Sequence, residues 1–425
     1  SEKMKGIRKN FLQFIFSGAY MKRWNDKLRP MDMYEVDKQA HKMIVAWLLL
    51  VINSRGKPEE ERLELARQVV EGGIFDYFYR LVITDIKPPV FYKIKEDKEH
   101  YRALSNWVLG ELDPMLSSLP DGVKERFEAW LDKKIEERSD DLSGRILDAA
   151  HTYASSWEFG IIKPFNSFDE EIPLIDASFS EKQAVFADLP GAKELQAKEP
   201  QAEHPHAALG KFAALCGQLR FQARWSQTPR VPETSVMGHM FMVACYAYFY
   251  SLSIGACRAR ALNNFFAGLF HDLPELLTRD IISPVKKSFK PLDPLLQEYE
   301  RQQMESRVFA PLRENNHKDI VERLAYYLGL ETGSEFHSSI IEEGKIRRVG
   351  FEELHEDCNQ DGLDPKDGEL LKMCDELAAF LEAYTSIRNG VISPELEEAM
   401  WRLKSRRSED TRLARDMRAI LADFD

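Results

Sequence analysis

Two imidazoles and two carboxylates in the second half of the chain have the types and spacing for metal chemistry. They are His239, the dipeptide His271-Asp272, and Asp375 in the run Lys372-Met373-Cys374-Asp375-Glu376-Leu377-Ala378. A His-Asp dipeptide alone arises by chance in a chain this long, and an isolated His239 reads as a core or capping histidine. The context is more specific. Each of the four falls in or at the end of an apolar stretch of helical length, so separate helices can converge and aim the four side chains at one centre. Imidazole nitrogen with carboxylate oxygen suits a borderline or hard divalent ion: Mn, Co, Fe, Ni, Zn or Mg. His317, His337 and His355 lie between Asp272 and Asp375 at spacings that match no ligand pattern, so one ion is expected.

The elements that must position these groups read as helices almost throughout. Residues 59–72, 100–119, 123–137, 297–328 and 395–423 show apolar periodicity with charged opposite faces. Strand-like alternation is scarce, with 345–349 the best candidate. Residues 241–257 reach the lower limit of a membrane span, but Tyr246, Tyr248, Tyr250, Ser251 and Ser253 point to a helix buried in protein. The expected fold is therefore all-α. Between 166 and 206, four prolines and few periodic apolar positions predict a linker or extended connection, which divides the chain into 1–165 and 207–425.

Composition bounds the function. The chain has 425 residues, 44% hydrophobic, 30% charged and 11% aromatic, enough for a large core and more than one domain. A net charge of −12 argues against a nucleic-acid-gripping protein, though not against a small anionic ligand held by local cations. Five cysteines with no C-x-x-C pair predict neither disulfides nor a zinc ribbon, hence a reducing cytoplasm. No secretory signal and no membrane span are expected.

A weak internal repeat crosses the linker. Residues 73–90 lie on 268–285 without a gap, and Gly, Phe, Leu, Asp, Ile, Pro and Val coincide at an offset of 195. Arg23-Trp24 and Arg224-Trp225 precede the two segments, followed by His41 and His239, while His151 and Asp375 follow them.

With these residues in place, the second half resembles the HD-domain metal-dependent phosphohydrolases, whose pattern is His, His-Asp, Asp. It is most similar to the small bacterial 5′-deoxynucleotidases, in which an Arg-Trp pair precedes the first histidine. Their His-Asp opens a segment like His271-Asp272-Leu273-Pro274-Glu275-Leu276-Leu277-Thr278-Arg279-Asp280 and its continuation to Lys286. The resemblance covers about 217–389, and residues 288–370 are longer here. It implies two tandem HD-like bundles, the first degenerate. It implies metal ligation by His239, His271, Asp272 and Asp375, and acid/base or water-positioning roles for Glu275 and Asp280. Phosphate contact falls to Arg224, nucleoside packing to Trp225, and secondary contacts to Thr278 and Lys286. The implied substrate is a phosphate ester, foremost a (deoxy)nucleoside 5′-monophosphate. A nucleotide sensor with little turnover and a phosphodiesterase on a cyclic or dinucleotide are the alternatives.

In the first half Asp76 stands where His271 stands, Tyr77 replaces Asp272, Arg80 replaces Glu275, and His151 falls at the place of Asp375. His41 aligns with His239 only through a small insertion. A phenol and a guanidinium are poor substitutes for a carboxylate ligand and base, so no hydrolytic ion is expected there, although His41, Asp76 and His151 could hold another ion. Small nucleotidases of this kind are homodimers, so the resemblance implies an internal pseudo-dimer, with the first copy as scaffold or lid.

Overall fold

A computed structural model describes residues 6–120, 122–136, 141–197, 207–279, 283–405 and 410–425. The first half runs α1 (Lys9–Phe16), β1 (Lys22–Arg23), β2 (Met33–Tyr34), α2 (Glu35–Ser54), α3 (Glu59–Ile83) and α4 (Pro88–Glu96). It continues through α5 (Lys98–Leu116), α6 (Val123–Ile135), α7 (Leu142–Ile162), α8 (Glu171–Val185) and α9 (Ala192–Gln196). The second half opens with α10 (Ala208–Gly217), α11 (Val236–Ser253), α12 (Arg258–Phe270), α13 (Glu275–Thr278), α14 (Ser283–Ser288) and α15 (Leu292–Met304). A π turn then leads to α16 (Ala310–Glu314) and α17 (Lys318–Tyr327). The hairpin β3 (Ser339–Glu342) and β4 (Lys345–Arg348) precedes α18 (Phe351–Asp357), α19 (Gly368–Arg388), α20 (Pro394–Ser405) and α21 (Arg412–Ala422). The fold is all-α, with two small two-stranded antiparallel sheets.

Residues 166–206, expected to be extended, carry α8 and α9. Pro173 sits in the first turn of α8, where its missing N–H costs nothing. Of the prolines that suggested a connection, Pro173 therefore marks a helix start and Pro190 a turn.

Two helices that are buried on all sides lie side by side at the centre. Every residue of α11 from Val236 to Ser251 is buried, and so is every residue of α2 from Glu35 to Leu50. Such helices need protein around the whole circumference. Reciprocal packing supplies it: α2 lies on α11, α1 of the first half covers α11, and α10 of the second half covers α2. One contiguous apolar cluster includes residues of both halves. No helix among the described residues is long and apolar enough to cross a membrane. All five cysteines are free thiols.

The same backbone bonds recur at fixed offsets. Glu35 N–H donates to Met21 O, and 201 residues on Val236 N–H donates to Gln222 O. The Lys22–Tyr34 pair of β1 and β2 returns as the isolated Ala223–Ser235 bridge. Trp24 and Trp225 share a left-handed φ of 59° and 54°. At an offset of 195, Thr84 and Arg279 do likewise, at 56° and 64°. Non-glycine residues seldom adopt this conformation. Gly268 shows why its position needs glycine: a Cβ there would lie 2.8 Å from the Ala244 Cα, so α12 could not cross α11 this closely.

This register corrects one landmark. At the offset of 201, Lys38 corresponds to His239, and His41 to Met242. The His41 ring turns instead toward the second half, with Nε2 2.8 Å from Ala213 O and Nδ1 3.3 Å from Arg220. Burial and the adjacent Arg220 push its pKa down to about 3.

Two expectations follow. Residues 207–425 expressed alone lose the cover of α1 and α2 over α11, so size-exclusion chromatography should find aggregated or self-associated protein. A stable monomer would contradict the packing argument. The second concerns Asp37, which is buried and accepts a bond from Ser235 across the halves. Burial raises its carboxyl to about 6, against the attraction of Arg220. The native state therefore binds this proton more tightly than the unfolded chain, whose aspartates titrate near 3.9. Asp37 thus contributes stability that is present below about pH 4 and lost as pH rises through 6. Relative to the parent, Asp37→Asn should be most favourable at pH 7 and lose that advantage toward pH 4.5. A melting-temperature difference independent of pH would show that Asp37 is not the titrating group.

Candidate metal centre

Three helices deliver the cluster. Ser235 caps α11, its hydroxyl accepting the Gly238 N–H at 2.9 Å, and His239 follows in the first turns. His271 and Asp272 stand where α12 ends, and Asp375 projects from α19. One ligand atom from each of the four lies within 4.8 Å of all the others. Asp375 Oδ1 is 2.7 Å from His239 Nε2 and 3.2 Å from His271 Nε2. Asp272 Oδ2 is 3.1 Å from His271 Nε2 and 3.7 Å from His239 Nε2. The imidazoles are buried, whereas the aspartates keep 16% and 20% of their side-chain surface, so the cluster opens to solvent on the carboxylate side.

The outer partners test whether this set suits a metal. His239 Nδ1 is 3.0 Å from Glu382 Oε1, and His271 Nδ1 is 2.7 Å from Gly268 O. Both acceptors require a proton on Nδ1, which leaves each Nε2 lone pair facing the aspartates. A metal-binding histidine is oriented in this way. Burial opposes charge on His239, but bonds to Asp375 and Glu382 raise its pKa; Asp272 and Asp375 do the same for His271. Despite burial, the two imidazoles hold both aspartates below the usual carboxylate range. A cation displacing the protons on Nε2 finds two negative charges and two neutral nitrogens. The donor set fits one divalent ion.

Glu382 is the residue the sequence reading missed. It lies seven positions beyond Asp375 on α19, is 1% exposed, and accepts from His239 and from Trp225 Nε1. Its second oxygen is 3.6 Å from Arg224 Nε. Burial would raise its pKa, but Arg224 and His239 hold it down to about 2. A lone glutamate inside the apolar run Leu377-Ala378-Ala379-Phe380-Leu381-Glu382-Ala383 was the available signal.

Arg224 and Trp225 therefore both reach the cluster through Glu382. Arg224 is also near Asp272, Asp375 and Glu275; Glu382 first, and then these three, overcome burial and raise its pKa. Glu275, half-buried at the start of α13, belongs to the same electrostatic group. Thr278 and Lys286 gather elsewhere: the Thr278 hydroxyl donates to Glu300 Oε1 on α15 at 3.2 Å, and Lys286 lies near the same carboxylate. Asp280 is outside the described residues. The long 288–370 segment contributes to the wall, setting the Phe336 ring 6.3 Å from that of His271 and Glu335 within electrostatic reach of His271 and Asp272. From α19, Lys372 adds a cation 3.9 Å from Asp375.

Replacing Glu382 with Gln keeps a hydrogen-bond acceptor but removes the charge that makes His239 a better ligand. Titration with Mn against a competing chelator should show affinity lower by about 10–100-fold. Unchanged affinity would mean that Glu382 does not tune the centre.

No curated protein and no solved structure matches this chain. The family model described as HD domain matches residues 216–404, which contain all four cluster residues and Glu382. This segment is thus similar to the HD domains, which are in general metal-dependent phosphohydrolases.

Proposed function

We propose that residues 207–425 release phosphate from (deoxy)nucleoside 5′-monophosphates. The observation that carries this reading is the guanidinium of Arg224 beside a two-histidine, two-aspartate cluster, both tied to Glu382. A divalent ion held by His239, His271, Asp272 and Asp375 would supply Lewis acidity toward a phosphoryl oxygen and lower the pKa of a bound water. The chain's own residues supply the rest. Arg224 offers a planar fork of donors to phosphate oxygens, held in place by Glu382. The Trp225 indole, pinned through its N–H, presents an apolar ring for a nucleoside to pack on. Glu275, one turn beyond Asp272, accepts or returns a proton at its carboxylate. Asp280, Thr278 and Lys286 remain proposed contributors, the last two after exchanging Glu300 for substrate.

Residues 1–165 are, in this reading, a degenerate copy of the same bundle, joined through 166–206 and packed on the second as an internal pseudo-dimer. The recurring bonds at offsets 201 and 195, and the paired left-handed residues, support this. Lys38, Asp76, Tyr77 and His151 then stand at the four ligand positions, and the Tyr77 hydroxyl is spent on Ile15 O at 2.6 Å. A phosphodiesterase is the second reading, favoured by the Glu335–Phe336 wall that residues 288–370 add to the site.

Phosphate release from a panel of nucleoside monophosphates, with Mn or Co added, tests the proposal. Asp272→Ala should lose both metal and turnover. Glu275→Gln should retain the metal while kcat falls by about 10²–10⁴-fold. Release from none of the panel would refute the nucleotidase reading, and turnover of cyclic or dinucleotides alone would favour the diesterase.

A further inference from the structure

The first half holds a cluster of opposite charge at the place corresponding to the metal cluster. His151 reaches solvent there, and Lys38, Lys42, Arg23 and Lys182 all bear on it. The inner charges are matched. Arg23 bonds Glu35 and Glu158, both at 2.9 Å, and Arg220 bonds Glu158 at 2.7 Å. The outer ones are not. Lys42 Nζ is 2.8 Å from Asp76, and Lys134 Nζ is 3.9 Å from the other oxygen of that carboxylate. Lys134 and Lys95 also share Asp148, on the first turns of α7. Lys38 is 2% exposed, and its ion pair is a long one of 3.5 Å to Glu35, a carboxylate already engaged by Arg23 and Gln39. Among the described residues it makes no hydrogen bond. Lys38, Lys42, Lys95 and Lys134 thus crowd Asp76 and Asp148, with Glu35 divided between Lys38 and Arg23. Burial holds Lys38 itself down to about 7, in a chain whose net charge is −12.

We infer that this cluster binds a small phosphate monoester, without metal and without hydrolysis, at Lys38, Lys42 and Lys134 beside His151. The surplus of lysines over carboxylates suits a phosphate monoester, which carries about −1.5 to −2 at neutral pH and would favour the charged form of Lys38. Lysine ammonium groups bind phosphate as fixed point charges. Where the second half offers His239 for a cation, the first offers Lys38, an amine that an anion would keep charged. Burial and the surrounding cations keep His151 neutral, so it can donate one hydrogen bond and accept another. The argument uses only the first half and does not depend on turnover in the second.

The test uses the full chain carrying Asp272→Ala, stripped with EDTA so that the other centre is silent. Inorganic phosphate and ribose 5-phosphate are titrated calorimetrically at low salt. One saturable equivalent is expected, weakening as salt rises. Lys38→Met should reduce affinity by tenfold or more, and Lys134→Gln, at the half-buried rim, by about three- to tenfold. If Lys38→Met fails to fold, the rim variant decides. No saturable binding at millimolar ligand would overturn the inference, as would affinity unchanged in the folded variants. Absence of nucleotidase activity in the parent would leave this result untouched.

Discussion

A carboxylate buried inside an all-helical core must be met by donors, and Glu382 meets that demand from three directions. Desolvating an unpaired carboxylate costs several kcal/mol, so a fold that buries one must bring cations or N–H groups to it. His239 comes from α11, Arg224 and Trp225 from the loop ahead of it, and Glu382 itself from α19. The backbone before α11 adopts a left-handed turn at Trp225 to make this possible. Once the Nδ1 proton of His239 is committed to Glu382, only Nε2 can face Asp375. The metal centre thus inherits its tautomer and orientation from a purely structural requirement.

The same solution appears in the first half around Glu158. Arg23, Trp24 and Arg220 donate to it, and Trp24 is left-handed like Trp225. Glu158 lies seven positions after His151, as Glu382 lies seven after Asp375. What differs is the charge above the hub. Two aspartates and two imidazoles favour a cation in the second half, and clustered lysines favour an anion in the first. A shared set of buried bonds leaves the side chains of the open cleft free to vary, because they contribute little to holding the helices in place.

The four cluster residues and the all-helical architecture were legible because each rests on local information: apolar periodicity, and a His-Asp pair at a helix end. Glu382 was not, since a glutamate within an apolar helix shows its partners only when the loop bearing Arg224 folds back. His41 misled for a related reason. Residue identity suggested a match to His239, whereas backbone register assigns that place to Lys38. The helices within 166–197 were hidden by prolines, of which Pro173 sits at a permitted first-turn position. Glu335 and Phe336 reach the site from a long segment with little periodicity, so nothing in their spacing announced them.

The interface between the halves also bears on the site. Ser235, which caps α11 one turn before His239, bonds Asp37 of α2. Arg220, in the turn leading to Arg224, is shared between Glu158 and His41 of the first half. Both ends of the loop that positions Arg224 and Trp225 are therefore anchored on residues 1–165. Those anchors are buried polar contacts, which are directional and lose several kcal/mol when one partner is removed. An apolar contact could slide by an ångström at small cost, whereas these bonds set the register of α11 against α2. The first half thus acts on the metal centre without touching it, by fixing the loop and helix from which Arg224, Trp225 and His239 project.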